Sequence, residues 1–303
     1  MGGKAFDCVP RLSLLNSPMA AIFGGSFTIF SLIGFVMNSL VLKILLTPSN
    51  KTRTNRILLS RVVTDLITAV VLGPLFSWQL LDKSASQDCR IDLIRRYCVF
   101  VIESTSYLTL AVIVHDRCIL LTRLNYYESY MSRRKYIILI VLVWLFPVIA
   151  PFLVYVNYVL YFCAAGLVFI VSVSSLFVSY CRIKKAMKEH NKTMQKHKKE
   201  WVLYENTLNN RYKEQHRREL LHFRMAKMVY LLIICYFGCV ITSNVWFVLH
   251  AISKFKSIVT PRSSQLLYVC AFTIFQINSC LNPFIYFHKN PQFKRTLRNM
   301  FKT

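Results

Sequence analysis

Seven predominantly apolar stretches mark this chain, at residues 20–46, 57–81, 93–121, 136–156, 158–183, 225–252 and 265–287. No other feature restricts its folding so strongly. A stretch of roughly 20 apolar residues matches the hydrocarbon thickness of a bilayer, and in lipid only helices or closed barrels satisfy every backbone group. Barrel strands are about 10 residues long and alternate in polarity; these stretches are longer and do not alternate, so they are expected to be helices. Composition agrees. The chain is 55% hydrophobic and only 17% charged, whereas soluble domains hold about 25% charged residues. The 38 Lys and Arg against 13 Asp and Glu leave a net charge of +25. In a nucleic-acid-binding domain such charge would run through the fold. Here it is crowded between the apolar stretches, so the implied partner is a lipid membrane and not nucleic acid.

Positive charge follows the cytoplasmic connections of membrane proteins. The first connection carries Lys51, Arg53 and Arg56, and the third carries Arg123, Arg133, Arg134 and Lys135. The fifth, 182–221, holds 12 Lys and Arg against 5 Asp and Glu. The pattern predicts a short extracellular N-terminus over 1–19 and a helix domain over 20–287 that includes a cytoplasmic connection at 182–221. A cytoplasmic amphipathic helix and tail follow over 288–303. The first 17 residues show no cleavable signal pattern, so the first span is expected to direct insertion into the plasma membrane. The expected fold class is an all-α membrane protein, a seven-transmembrane helix bundle with a short amphipathic C-terminal helix.

Polar groups at bilayer depth are rare and expensive, which makes each a candidate for function. Asn38 falls in the first span, Arg61 and Asp65 in the second, and Glu103 and Ser106 in the third. Asp116 and Arg117 close the third, and Asn278, Ser279 and Asn282 lie in the seventh. For Asn38, Ser106 and Ser279 the plain alternative is hydrogen bonding between helices, worth about 0.6 kcal/mol each on average. Asp65 and Glu103 must be paired, hydrated or protonated. The ten cysteines do not form a disulfide framework, since only Cys8 and Cys89 clearly fall outside the spans on the extracellular side. Nothing points to an enzyme: there is no catalytic Gly-rich loop, and no two of the seven His stand at metal-ligand spacing.

These residues resemble one family. Asn38 in Gly-Phe-Val-Met-Asn-Ser-Leu-Val, Asp65, Asp116-Arg117-Cys118, Trp144, Tyr180 and the run Asn278-Ser279-Cys280-Leu281-Asn282-Pro283-Phe284-Ile285-Tyr286 match the landmarks of rhodopsin-like (class A) G-protein-coupled receptors. The resemblance covers essentially the whole chain. Several positions depart from the family pattern. The usual outer cysteine of the third helix falls on Asp92, the fifth-helix proline on Ser172, and Cys235-Tyr236-Phe237-Gly238 replaces Cys-Trp-x-Pro in the sixth. The short connection after the fourth span and Ser172 are similar to melanocortin receptors, the seventh helix and tail to adenosine receptors.

The resemblance implies a receptor that transmits binding of an extracellular small molecule or peptide to heterotrimeric G proteins, without any required cofactor. Coupling and activation would fall to Asp116, Arg117, Tyr180, Asn282, Pro283 and Tyr286. Ligand contacts would fall to Asp92, Val99, Glu103, Tyr107, Tyr236, Phe272 and Gln276. The carboxylate of aminergic receptors falls on Val99 and the retinal-linking lysine of opsins on Gln276, so neither ligand class is expected. Asp65, Ser106, Asn278 and Asn282 match the family's internal sodium pocket, where the ion acts as an allosteric modulator. Arg61 stands one helical turn before Asp65, where the family usually has leucine. Two readings are open: a sodium ion beside Asp65, or a guanidinium in its place. The acidic partner that locks the resting third helix falls on Arg218, with Glu219 next to it, which implies raised basal signalling. Alternative functions are a receptor-like protein with lost coupling and a polytopic transporter. Against the latter, the spans show no inverted repeat.

Overall fold

The computed structural model describes residues 15, 17–47, 53–122, 132–152, 158–204, 230, 231, 233, 234, 237, 238, 260–289 and 291–300. The described residues are all helix, turn or short connection. In chain order the helices are α1 (Ser17–Leu46), α2 (Arg53–Ile67), α3 (Gly73–Leu81), α4 (Lys83–Gln87), α5 (Cys89–Thr122), α6 (Arg133–Ile149), α7 (Tyr158–Tyr204), α8 (Pro261–Lys289) and α9 (Pro291–Met300). Among the described residues six helices are long and apolar enough to cross a membrane. They correspond to the expected spans except 225–252, most of which lies outside the described residues. The chain is thus a multi-pass membrane protein.

The buried face of α1 shows how such a bundle is held. Gly24, Phe27, Ser31, Gly34, Asn38 and Val41 are buried, three or four residues apart, while Ile22, Ile29, Leu32 and Val36 between them are exposed. Large apolar side chains thus lie on the outer face of α1, while the inner face mixes small and polar residues with Phe27 and Val41. Lipid tails are as apolar as leucine, so nothing is gained by hiding leucine from them. Close approach and interhelical hydrogen bonds hold the helices together instead. On this face α1 packs against α2, α3 and α8, while α5 packs against α2, α6 and α7.

The second span differs from a simple rod. Between α2 and α3 the chain widens into a π-turn, Thr68–Leu72, where the Gly73 N–H donates to the Thr68 carbonyl five residues back. Pro74 follows, and its missing N–H cannot continue the ladder. A π-turn of this kind commonly marks a functional region. It brings Gly73 so near α1 and α8 that an added Cβ would lie 1.8 Å from Ser31 Oγ and 2.6 Å from Gln276 Nε2.

Helix ends follow local chemistry. The third span begins at Cys89 rather than at 93, because the Asp88 carboxylate accepts from the Arg90 N–H at 2.7 Å and so caps the first turn. Asp82 likewise caps α4, its Oδ1 accepting from the Ser84 N–H and Oγ at 2.8 Å each. Those bonds, the Ser84 hydroxyl first, hold its carboxyl below the usual range. The fourth span narrows into a 3-10 turn at Ala150–Phe152; its expected end at 156 lies outside the described residues. The fifth runs on as helix to Tyr204, well past the expected 183. Cys89 is disulfide-bonded, its partner lying outside the described residues; Cys98, Cys118, Cys163, Cys181, Cys270 and Cys280 are free thiols. The amphipathic tail forms as α9: Phe293 is fully buried against Tyr286 and Phe287, while Lys294, Arg295 and Arg298 lie on its polar side.

Candidate functional site

Polar side chains gather at three depths of the bundle. The deepest set joins α2, α5 and α8. Arg61 and Asp65, four residues apart on α2, are buried, with Arg61 Nε 3.5 Å from Asp65 Oδ2. Arg61 Nη1 crosses to α5, donating to the Ser106 carbonyl at 2.9 Å and also to Ser106 Oγ. From α8, Asn282 Nδ2 donates to Asp65 Oδ2 at 2.8 Å, and Ser279 Oγ donates to the Asp65 carbonyl at 3.4 Å. Asn38 of α1 donates to the Ser279 carbonyl at 3.3 Å. Asn278 is buried as well. Of the expected pocket residues, Asp65, Ser106 and Asn282 are thus joined in one network, and the guanidinium joins it too.

At the basic end, Asp116 and Arg117 are buried, with Arg117 Nε 3.8 Å from Asp116 Oδ2. Tyr180 of α7 stacks on Tyr230, ring centroids 4.9 Å apart and hydroxyls 2.8 Å apart. Tyr286 is buried beneath α9, and Pro283 is buried one turn before it. Trp144 of α6 donates to Ser60 Oγ at 2.8 Å, which ties the fourth span to the second.

Toward the opposite end, aromatic rings from three helices stack. Phe76 lies 4.9 Å from Phe27 and 4.9 Å from Phe272, and Tyr268 lies 4.7 Å from Phe272. Over this stack sits Arg95, its guanidinium carbon 5.1 Å from the Phe76 ring and 5.0 Å from the Tyr268 ring, within cation–π range. Arg95 donates to the Tyr268 hydroxyl and pairs with Asp92, whose other oxygen takes Arg96. Asp92 is therefore engaged by two arginines of its own helix. Deeper on α5, Glu103 is half-buried and accepts from Tyr107 at 3.0 Å; Val99 is buried on the same helix. Gln276 is buried and donates to Ser31 Oγ at 3.0 Å, toward α1.

Of the expected ligand-contact residues, Asp92 and Phe272 thus share one cluster. Glu103 and Tyr107 form a pair, Gln276 joins α8 to α1, and Tyr236 lies outside the described residues, as do Arg218 and Glu219. Sequence reasoning passed over Arg95, Phe76, Tyr268 and Ser31. A signal existed for Arg95: it stands three residues after Asp92, at ion-pairing distance along one helix face.

A multi-pass bundle with a polar centre, an Asp-Arg pair at one end of α5 and an Asn-Pro-x-x-Tyr run in α8 has the architecture of a heptahelical receptor. The family model described as "7 transmembrane receptor (rhodopsin family)" matches residues 150–286. The fold is similar to that in the crystal structure of squid rhodopsin, at 18% identity and a TM-score of 0.76, covering 95% of this chain and 87% of that one. The family match spans 150–286, under half of the chain, and the structural likeness shows the fold. The matched segment contains the Asn-Pro-x-x-Tyr run; Asp116 and Arg117 precede it. No curated protein matches the chain.

Proposed function

We propose that this chain is a rhodopsin-like (class A) G-protein-coupled receptor that carries an extracellular chemical signal across the plasma membrane to heterotrimeric G proteins, with its N-terminus outside and its C-terminus in the cytoplasm. The observation that carries the reading is the buried Asp116–Arg117 pair at the end of α5, beside the basic helix extension of α7. A buried ion pair is a two-state element: held together it keeps the arginine inside, and opened it frees a rigid cationic fork for a partner's carbonyls or carboxylates. Tyr180, Asn282, Pro283 and Tyr286 would move with it. A ligand biases such an equilibrium only through differential contacts in the two states.

The ligand, a small molecule or peptide, would enter from the end opposite Arg117. Val99 offers no carboxylate for an amine and Gln276 no amine for retinal, which supports a ligand outside both classes. Glu103, half-buried one turn below Val99, would receive a cationic group. The short sequence connection around Asn157 and Ser172 in the fifth span support a place near the melanocortin receptors, and the seventh helix and tail one near the adenosine receptors. Arg218, where the family usually has an acidic lock residue, supports raised basal signalling.

The test is basal G-protein activation in cells, scored across the G-protein classes for the wild type and for Arg117→Ala at matched surface expression. Wild-type signal above vector control that Arg117→Ala abolishes supports the reading. Signal absent in every class, with ligand-library screening also silent, supports a receptor-like protein that has lost coupling.

A further inference from the structure

We propose that the polar centre of this bundle carries its cation covalently: Arg61 occupies the place that a sodium ion would hold beside Asp65, so the protein is indifferent to sodium. The residues around Asp65 do not fit the ion. A hard monovalent cation needs several oxygen ligands turned toward it. Here Ser106 Oγ and the Ser106 carbonyl both accept from Arg61 Nη1, the carbonyl at 2.9 Å. Asp65 Oδ2 accepts from Asn282 Nδ2 at 2.8 Å and faces Arg61 Nε at 3.5 Å. Those oxygens are thus committed to N–H donors. Charge argues the same way. Arg61 and Asp65 are 2% and 1% exposed, and as an ion pair they sum to zero. A sodium ion added to them would leave one uncompensated positive charge in a low-dielectric interior, which burial strongly disfavours.

Arg61 also differs from a bound ion in what it ties together. A guanidinium is charged at every accessible pH and its fork is rigid, so this cation neither dissociates nor varies with salt. It links α2 to α5 permanently, through Ser106, and to α8 through Asp65 and Asn282. In an ion-regulated bundle, the linkage between these helices would strengthen with sodium concentration. Here it is fixed by the sequence, and the one-turn spacing of Arg61 and Asp65 places both groups on the same face of α2.

The experiment is thermal unfolding of the purified full-length protein in NaCl against KCl at equal ionic strength, read by thiol labelling of the buried cysteines. The wild type should show the same midpoint in both salts. Arg61→Leu removes the guanidinium while keeping apolar bulk, and should show a higher midpoint in NaCl than in KCl. A sodium-specific rise in the wild type overturns the proposal, and so does an Arg61→Leu protein that folds but shows none. If Arg61→Leu does not fold, two further proteins decide. Asp65→Asn alone should be strongly destabilised in either salt, and Arg61→Leu combined with Asp65→Asn should recover part of that loss. Failure to recover overturns the pairing. The readout involves no G protein, so its failure is distinct from failure of the receptor reading.

Discussion

Replacing Arg95 with alanine should unlock the end of the bundle opposite Arg117, and its cost can be built from the contacts. The side chain is 1% exposed, so it gains nothing from water in the native state. Its removal takes the Arg95 donor from the Tyr268 hydroxyl and a cation from above two rings, Phe76 and Tyr268. Breaking a buried ion pair by deleting one partner costs about 3–5 kcal/mol, because the remaining charge is stranded. Asp92 is not wholly stranded, since its second oxygen still holds Arg96; this halves the ion-pair share to on the order of 2 kcal/mol. The lost cation–π contacts add about 0.5–2 kcal/mol. The sum is a destabilisation of about 2.5–4 kcal/mol. Arg96 serves as the internal control. Its side chain is 30% exposed, so deleting it should cost under about 1 kcal/mol after solvent screening. Thermal unfolding followed through the buried thiols Cys118 and Cys280 measures both variants in one assay. Equal loss for Arg95→Ala and Arg96→Ala would refute the claim that burial makes the difference.

Gly73→Ala should destabilise by about 1–3 kcal/mol, the usual cost of overpacking, because the new methyl meets Ser31 and Gln276; Ser31→Ala in the same chain should recover part of the loss in the same unfolding assay. Asp82→Asn should speed backbone amide exchange across α4, measured at neutral pH. The sign follows from a carboxyl held below its unfolded value of 3.8: the stabilisation is present above that value and fades only as pH drops through the lower folded one. Glu103→Gln should weaken an agonist found by screening at least tenfold if the agonist carries a cationic group; unchanged potency removes Glu103 from the ligand site. Phe293→Ala should lower the unfolding midpoint through a loss of about 3–5 kcal/mol at a fully buried aromatic, and should detach α9, visible as faster amide exchange over its residues.

The six spans among the described residues were legible from hydropathy alone, because a bilayer selects for length and apolarity residue by residue. Individual ends were less so. The start of α5 depends on the Asp88 cap, and the widened turn before Gly73 depends on Pro74 and on α1 lying alongside. The polar landmarks Asp65, Ser106 and Asn282 were legible as a set, and the structure brings them together. Arg95 was passed over because its importance depends on Phe76 and Tyr268, which lie on other helices and far away in sequence.

Arg61 divides the two kinds of information. The order of residues already determines that a cation and a carboxylate sit one turn apart on the same helix at bilayer depth, since helical periodicity is local. Whether that cation turns toward its own carboxylate, toward lipid headgroups or into the bundle depends on which oxygens the neighbouring helices present. Hydropathy is nearly uniform around a membrane helix, so it does not say which face turns inward. Packing decided that, by setting Ser106 from α5 and Asn282 from α8 on either side of the pair.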